Sequence, residues 1–291
     1  MMLHVLAEEW QLLLFTLMMQ AAVGIFLFVV IIRGLPKLDM KFRQSITRTG
    51  LLLTGPLVVV GILLSALHLG DPFGAYRSIM NVGSSWLSRE ILFTGLFFAM
   101  WLVAFILDRR GKWNQAFGWL TVIVGAGAIV SMASIYATSI IPAWSDFNTY
   151  LSFFGTAVFF GAVMTVVMIL RSKEEKTEQV HGLLKSIAVA ASIVLVVQLM
   201  YVPIFLSGLS TAGVAGNASL ELFAGEHIWS MVIRWGLSLA GIGLIVFALF
   251  KNRLIQTKHY ALFYAAFAMI IAGETLGRFI FYATGVPMMI G

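Results

Sequence analysis

Residues 10–32 read WQLLLFTLMMQAAVGIFLFVVII and contain no charged side chain. A run of about 20 apolar residues is long enough to cross the hydrocarbon core of a bilayer as a helix. Similar runs, separated by charged or turn-forming breaks, follow along the whole chain. They predict an all-α integral membrane protein, an up-and-down bundle of about eight transmembrane helices in a single domain over 1–291, with helices near 10–32, 47–68, 88–107, 117–139, 151–170, 183–206, 228–250 and 260–283.

The composition agrees with a membrane protein and excludes several classes of function. The chain is 60% hydrophobic and 11% charged, whereas soluble domains are about 45–50% apolar and about 25% charged. No Lys or Arg precedes Arg33, so the basic segment of a cleavable signal peptide is missing and we expect the first helix to be retained. The absence of cysteine excludes disulfides and any iron–sulfur cluster bound by this chain itself.

The basic residues indicate how the helices are oriented. Fifteen of the 19 Lys and Arg residues fall in alternate connections, around 33–48, 109–112, 171–185 and 251–258. By the positive-inside rule these connections are cytoplasmic, so both termini are expected outside. The same rule explains the net charge of +6, and no nucleic-acid partner is expected. The outer connections at 69–87, 140–150 and 207–227 are predicted to be long loops that form a docking platform or the roof of a pocket.

Ionisable side chains are costly at membrane depth, and their default interpretation is functional. Four candidates fall in the outer half of the membrane or at its outer boundary, and they are His68, Glu90, Arg234 and Arg278. The fifth, Glu274, lies slightly deeper. Glu274 and Arg278 are spaced i,i+4 and are predicted to form a supporting ion pair. For Arg234 the alternative to a direct role is that its long side chain only carries the charge to the membrane surface.

His68 and Glu90 are stronger candidates as a pair, because His68 ends the second predicted helix and Glu90 opens the third on the same side of the membrane. A neutral imidazole can accept a hydrogen bond from a quinol hydroxyl, and a carboxylate can take a proton and pass it outward. The pair therefore suits proton-coupled oxidation of a quinol. Two titratable groups at one face would also serve a proton-coupled transporter.

The histidines argue against a haem. Axial ligands of a membrane haem lie within helices, whereas four of the five histidines fall in loops or at helix ends; the five are His4, His68, His181, His227 and His259. No pair can be placed at bilayer depth, so neither haem nor another metal site is expected in this chain.

Several separated motifs resemble the membrane anchor subunit family of dimethyl sulfoxide reductases. They occur in family order across nearly the whole chain: residues 67–72 followed by Ala75, residues 87–90, Tyr136 with Pro142 and Trp144, Met231 with Arg234, and residues 273–278 running into Phe281 and Tyr282. The resemblance implies eight helices in a prokaryotic cytoplasmic (inner) membrane, no haem, and menaquinol as electron donor. It also implies that the residues at His68 and Glu90 take part in quinol binding and oxidation.

Further expectations follow from the same resemblance. Electrons pass to a four-cluster ferredoxin-like iron–sulfur subunit and then to a molybdopterin catalytic subunit, both docked on the outer face. The anchor itself carries neither the clusters nor the molybdenum. Arg234, Glu274, Arg278, Tyr282 and Tyr136 are the further candidates for quinol binding.

Two other classes of function remain open. A secondary transporter is expected to show paired helix interruptions at the midplane, but Gly55-Pro56 is the only clear interruption and has no counterpart. A purely structural membrane tether would not need both His68 and Glu90 at the outer boundary.

Overall fold

The computed structural model describes residues 2–68, 80–172, 178–250 and 260–288, without the side chains of residues 2–8, 68 and 260. The described residues are all-helical, and their nine helices are α1 Met2–Arg33, α2 Met40–His68, α3 Trp86–Arg109, α4 Gln115–Ala137, α5 Phe147–Arg171, α6 Glu178–Thr211, α7 Gly213–Ala224, α8 Ile228–Phe250 and α9 Tyr260–Ala283. All but α7 are long and apolar enough to cross a membrane. The predicted fold class is confirmed. We call the end of the bundle that holds the start of α1 and the end of α9 the outer end, following the predicted orientation.

Two helices begin well before the positions predicted from hydropathy. The first starts at Met2 instead of 10, and α2 starts at Met40 instead of 47. Asp39 explains the second case, because its carboxylate accepts hydrogen bonds from the backbone N–H of Lys41 at 2.8 Å and of Phe42 at 3.2 Å. This satisfies two of the donors that a helix start leaves free. The helix therefore extends through a basic, polar segment that hydropathy assigns to a loop.

The outer connection at 207–227 is only partly a loop, so that prediction was wrong. The sixth helix continues through Pro203 to Thr211, and α7 follows almost at once. Gly213 separates them with a φ of +74°, a conformation that side-chain-bearing residues rarely adopt. Phe223 of α7 packs edge-on against Phe205 of α6, with ring centres 5.6 Å apart. The connection is thus a short helix packed over the outer end of α6.

The centre of the bundle is formed by α1 and α5, which are its most buried spans. Small residues allow their backbones to approach closely. A Cβ on Gly24 would clash with the carbonyl oxygen of Ala157, and one on Gly161 would clash with the carbonyl oxygen of Gly24. The central position of α1 matters for the site, because polar side chains on it face the helices that carry the predicted site residues.

At the inner end, Arg33 joins four segments of the chain. Its guanidinium forms an ion pair with Asp108 of α3, and its Nε donates a 2.8 Å hydrogen bond to Thr47 of α2. The same group lies over the ring of Trp113, with Cζ 4.4 Å from the ring centre. Arg33 is 6% exposed. A buried cation in this position has a carboxylate, a hydroxyl and an aromatic face as partners.

Candidate functional site

Glu90 enters the bundle from the first turn of α3. Ser85 precedes the helix and accepts a hydrogen bond from the backbone N–H of Ser88. Arg89 turns back to the preceding segment, donating to the carbonyl oxygens of Val82 at 2.8 Å and Gly83 at 2.7 Å and lying over Trp86. Glu90, the next residue, is instead buried in the bundle and is only 6% exposed. Among the described residues Glu90 has no ion-pair partner. The structure therefore buries a carboxylate that forms no ion pair with the described part of the chain.

The other predicted catalytic residue, His68, is the last residue of α2. Its side chain lies outside the described residues, as does the rest of its sequence motif at 69–79. The backbone places the end of α2 at the outer end, where α3 also begins. A shared role for His68 and Glu90 stays a prediction.

A pair of tyrosine hydroxyls joins the outer ends of α4 and α9. The oxygens of Tyr136 and Tyr282 are 2.9 Å apart, and the Tyr282 hydroxyl also lies close to the hydroxyl of Thr16 on α1. The charges of Glu90 and Arg278 both act on the Tyr136 hydroxyl. Arg278 and Tyr136 also pack against the same two rings, Phe153 and Phe281. Tyr136, Arg278 and Tyr282 therefore lie together, and Glu90 acts on them through its charge.

Aromatic packing fixes the position of these tyrosines. Trp144 stacks on Phe281, with ring centres 5.6 Å apart, and its indole N–H donates a 2.6 Å hydrogen bond to the carbonyl oxygen of Phe281. Tyr136 packs edge-on against both rings at 5.3 Å. Because Trp144 lies in the connection before α5, this cluster locks three segments together around the hydroxyl pair.

Arg278 and Glu274 are both 2% exposed, but they do not form the predicted ion pair. Among the described residues no ion pair joins them. Arg278 donates a 2.9 Å hydrogen bond to Gln20 on α1 and lies 3.7 Å from the ring centre of Phe153 on α5. Glu274 accepts a 2.5 Å hydrogen bond from Thr156, also on α5. The i,i+4 spacing puts both side chains on one helix face, but each is taken up by a neighbouring helix, and the prediction was wrong.

Both charged groups keep unpartnered atoms. Within the described part of the chain, Nε and Nη1 of Arg278 and Oε1 of Glu274 have no hydrogen-bond partner, and the same holds for Nε2 of Gln20. Buried polar atoms in proteins are normally paired with protein groups or ordered water. Three unused donors and one unused acceptor can therefore receive water or a ligand that both accepts and donates.

Arg234 belongs to α8 and packs against a different side of α9 from the tyrosine pair. A Cβ on Gly277 would clash with its Nε, and its guanidinium lies 4.0 Å from the ring centre of Trp235. It lines a separate cavity together with Gln198, although its charge still acts on Glu274 electrostatically. The structure does not bring Arg234 into contact with the tyrosine pair.

The sequence interpretation missed the uncharged members of this cluster. Gln20 is fully buried in the middle of α1, and Thr16 and Thr156 are 1% exposed. The selection considered only ionisable side chains. Gln20 could have been found, because a glutamine within a long apolar run is itself costly in a membrane unless it has a partner. Among the described residues no group of His, Cys, Asp and Glu has the arrangement of a metal site.

Comparison with known proteins assigns the protein to a family. Residues 3–284 match the model of the DMSO reductase anchor subunit (DmsC) family. The sequence is 30% identical to YnfH of the anaerobic dimethyl sulfoxide reductase of Escherichia coli K12, over 98% of this protein and 96% of that one. It is 27% identical to an anaerobic dimethyl sulfoxide reductase subunit of Haemophilus influenzae, over 97% and 96%, and 26% identical to a second such subunit of E. coli K12, over 98% and 96%. With a family match that covers nearly the whole of its eight membrane-spanning helices, the chain belongs to the DMSO reductase anchor subunit family.

Proposed function

We propose that this chain binds and oxidises menaquinol at the outer end of its helix bundle. It then passes the electrons to a four-cluster ferredoxin-like iron–sulfur subunit of a respiratory molybdopterin reductase of the dimethyl sulfoxide reductase type. The observation that carries the proposal is the hydrogen-bonded pair of Tyr136 and Tyr282, from α4 and α9, in the interior of a membrane bundle. Arg278 packs on the same rings as Tyr136, and the charges of Glu90 and Arg278 both act on the Tyr136 hydroxyl. Because buried polar groups are costly in a membrane, such a gathering indicates a polar substrate or a proton path.

The chemistry of quinol oxidation matches these residue types. Oxidising one quinol to the quinone releases two electrons and two protons. In the proposal the carboxylate of Glu90 and the imidazole of His68 accept the two protons and release them at the outer face. The Arg278 cation stabilises negative charge that develops on a quinol oxygen as its proton leaves. The tyrosine hydroxyls are able both to donate to and to accept from the head group.

The position of the site also suits electron transfer. The electrons leave the head group for an iron–sulfur cluster of the partner subunit, which requires the two to be close, because this chain is proposed to hold no haem that could carry electrons across the bilayer. Partners docked on the outer face therefore need the quinol at the outer end. The protons then have only a short way to the aqueous phase.

The test separates quinol oxidation from assembly. His68→Ala and Glu90→Gln are expected to leave the complex assembled and able to reduce dimethyl sulfoxide with a soluble artificial donor, but to abolish turnover with a menaquinol analogue. Both rates are measured on the same membranes. Glu221→Gln, which changes an exposed carboxylate of α7, is the matched control and should alter neither rate. Survival of quinol turnover in either site variant removes that residue from the mechanism. Loss of both rates together supports a structural tether instead.

A further inference from the structure

An apolar groove opens between α2 and α9, with α1 and α5 as its floor. Its volume is about 980 Å³ including the open mouth, and its lining includes Leu17, Ala21, Leu57, Phe160, Phe267 and Ile271. Along α1 the lining runs from Leu14 to Ile25, which is about 16 Å at the helical rise of about 1.5 Å per residue. Thr275 is its one polar lining side chain. The groove therefore offers a long hydrocarbon surface and almost no hydrogen-bonding groups.

The groove runs beside the buried polar cluster. On α1, Ala21 of the groove directly follows Gln20, which accepts a hydrogen bond from Arg278. Leu17 of the groove directly follows Thr16, which lies close to Tyr282. The groove and the proposed quinol site are thus two neighbouring faces of one central helix. Their walls are also shared, because α9 carries Ile271 in the groove and Arg278 in the cluster.

The polar cluster beside the groove indicates whether a phospholipid acyl chain or a quinol tail occupies it. The head group of a phospholipid stays at the membrane surface, so its acyl chains have no reason to meet buried polar side chains at their upper end. A quinol has a small head group that sits among such side chains and a hydrocarbon tail that continues from it. We propose that the groove between α2 and α9 holds the isoprenoid tail of the quinol while the head group lies in the polar cluster. This inference rests on the proposed function and adds the direction from which the substrate enters.

A second apolar groove provides an internal control. It lies between α5 and α6, has a volume of about 810 Å³ with its mouth, and includes Phe147, Phe154, Val194 and Val197 in its lining. Neither α1 nor α9 contributes to this lining. Both grooves are apolar and open, but only the lining of the first includes residues of α1 and α9, the helices that carry Gln20 and Arg278. A Trp placed in each groove adds the same bulky side chain at two different positions. Any difference between the two variants then reports which groove the quinol uses.

The experiment uses the assembled complex in membranes and two substrates with one head group. One is a tailless 2,3-dimethylnaphthoquinol, and the other is a naphthoquinol that carries a prenyl tail. Ile271→Trp fills the first groove at its mouth, where the native side chain is 36% exposed, and Val197→Trp at 44% exposure fills the second. Because an added bulky group excludes the tail sterically, Ile271→Trp is expected to lower kcat/KM for the tailed quinol about tenfold or more. Turnover of the tailless quinol should be unchanged, and Val197→Trp should affect neither.

Each other outcome has a definite meaning. If Ile271→Trp leaves the tailed quinol unaffected, or if Val197→Trp has the larger effect, the tail lies elsewhere and the proposal is overturned. An equal loss for both quinols, with the artificial donor still active, places the effect on the head group and also overturns it. If Ile271→Trp fails to assemble, Ala21→Phe on the groove floor is measured in its place with the same criteria. A wild-type complex that oxidises neither quinol refutes the proposed function itself, which distinguishes the two failures.

Discussion

The two ends of the bundle treat buried charge differently. At the inner end, Arg33 is paired with Asp108, donates to Thr47 and lies over Trp113, although one of its nitrogens lacks a partner. At the outer end, Arg278 and Glu274 are more deeply buried, yet among the described residues neither takes part in an ion pair. An unpaired charge in a membrane interior costs several kcal/mol, about 2.5–3.5 on insertion scales. The inner cluster can thus be understood from stability alone, whereas the outer cluster calls for a function.

The largest expected effect comes from breaking the inner cluster. Arg33→Gln leaves Asp108 without its cation and removes the contact with Trp113. Removing one partner of a buried ion pair costs about 3–5 kcal/mol, and the lower end applies here because Asp108 is partly exposed. We expect a large loss of assembled complex, measured as the amount of the subunit in purified membranes. Arg109→Gln, at an exposed position nearby, should have little effect.

A double substitution sharpens this prediction. Arg33→Met with Asp108→Leu removes both charges and should recover much of the assembly, because a buried ion pair is often replaced by apolar residues at little cost. If the double variant assembles no better than Arg33→Gln, the inner cluster is not held together by its ion pair. The contrast between the two ends would then lose its basis.

A smaller effect on assembly is expected at the outer end. Arg278→Gln removes one hydrogen bond to Gln20 and the contact with Phe153, but it strands no directly paired carboxylate. The lost contacts cost about 1–2 kcal/mol, and removal of an unpaired buried charge offsets part of that cost, so the loss is smaller than that of Arg33→Gln in the same membranes. Quinol turnover should nevertheless be lost while the artificial donor remains active. A loss of assembly as large as that of Arg33→Gln would indicate that Arg278 is a structural residue.

The two ends also show what the sequence could predict. The membrane spans were predictable because each apolar run must by itself span the hydrocarbon core, which is a local property of the chain. The ion pair between Glu274 and Arg278 was predicted from an equally local rule, the i,i+4 spacing, and it was wrong. The hydrogen-bond partner of a long side chain depends on how the helices pack against one another. Hydropathy carries no information about that packing. Thr156 on α5 and Gln20 on α1 are 118 and 258 residues away from their partners.

The helix α7 was missed for a related reason. At 12 residues its segment is too short for a span, so a search for apolar runs assigned it to a loop. Its start at Gly213 and the contact between Phe223 and Phe205 depend on the position of α6. Glu90, in contrast, opens the third helix as predicted, because its place follows from the start of α3 alone.

The smallest expected effect on stability comes from single tyrosine hydroxyls, and here the outer end contains its own control. Tyr136 is bonded to Tyr282 with an oxygen separation of 2.9 Å, and Tyr150 is bonded to Ser134 at the same separation. Removing either hydroxyl costs about 1 kcal/mol of stability, the usual contribution of a neutral hydrogen bond, so Tyr136→Phe and Tyr150→Phe should assemble equally well. The charges of Glu90 and Arg278 act on the Tyr136 hydroxyl, whereas Tyr150 lines the second apolar groove, to which neither α1 nor α9 contributes. If these groups bind the quinol head, Tyr136→Phe raises KM for the quinol or lowers kcat about fivefold to tenfold, since about 1–1.4 kcal/mol of substrate binding or transition-state stabilisation is lost, while Tyr150→Phe leaves both constants unchanged. Equal kinetic effects of the two substitutions would mean that the outer end responds to any lost hydroxyl through packing, and the polar cluster would then have no special relation to the quinol.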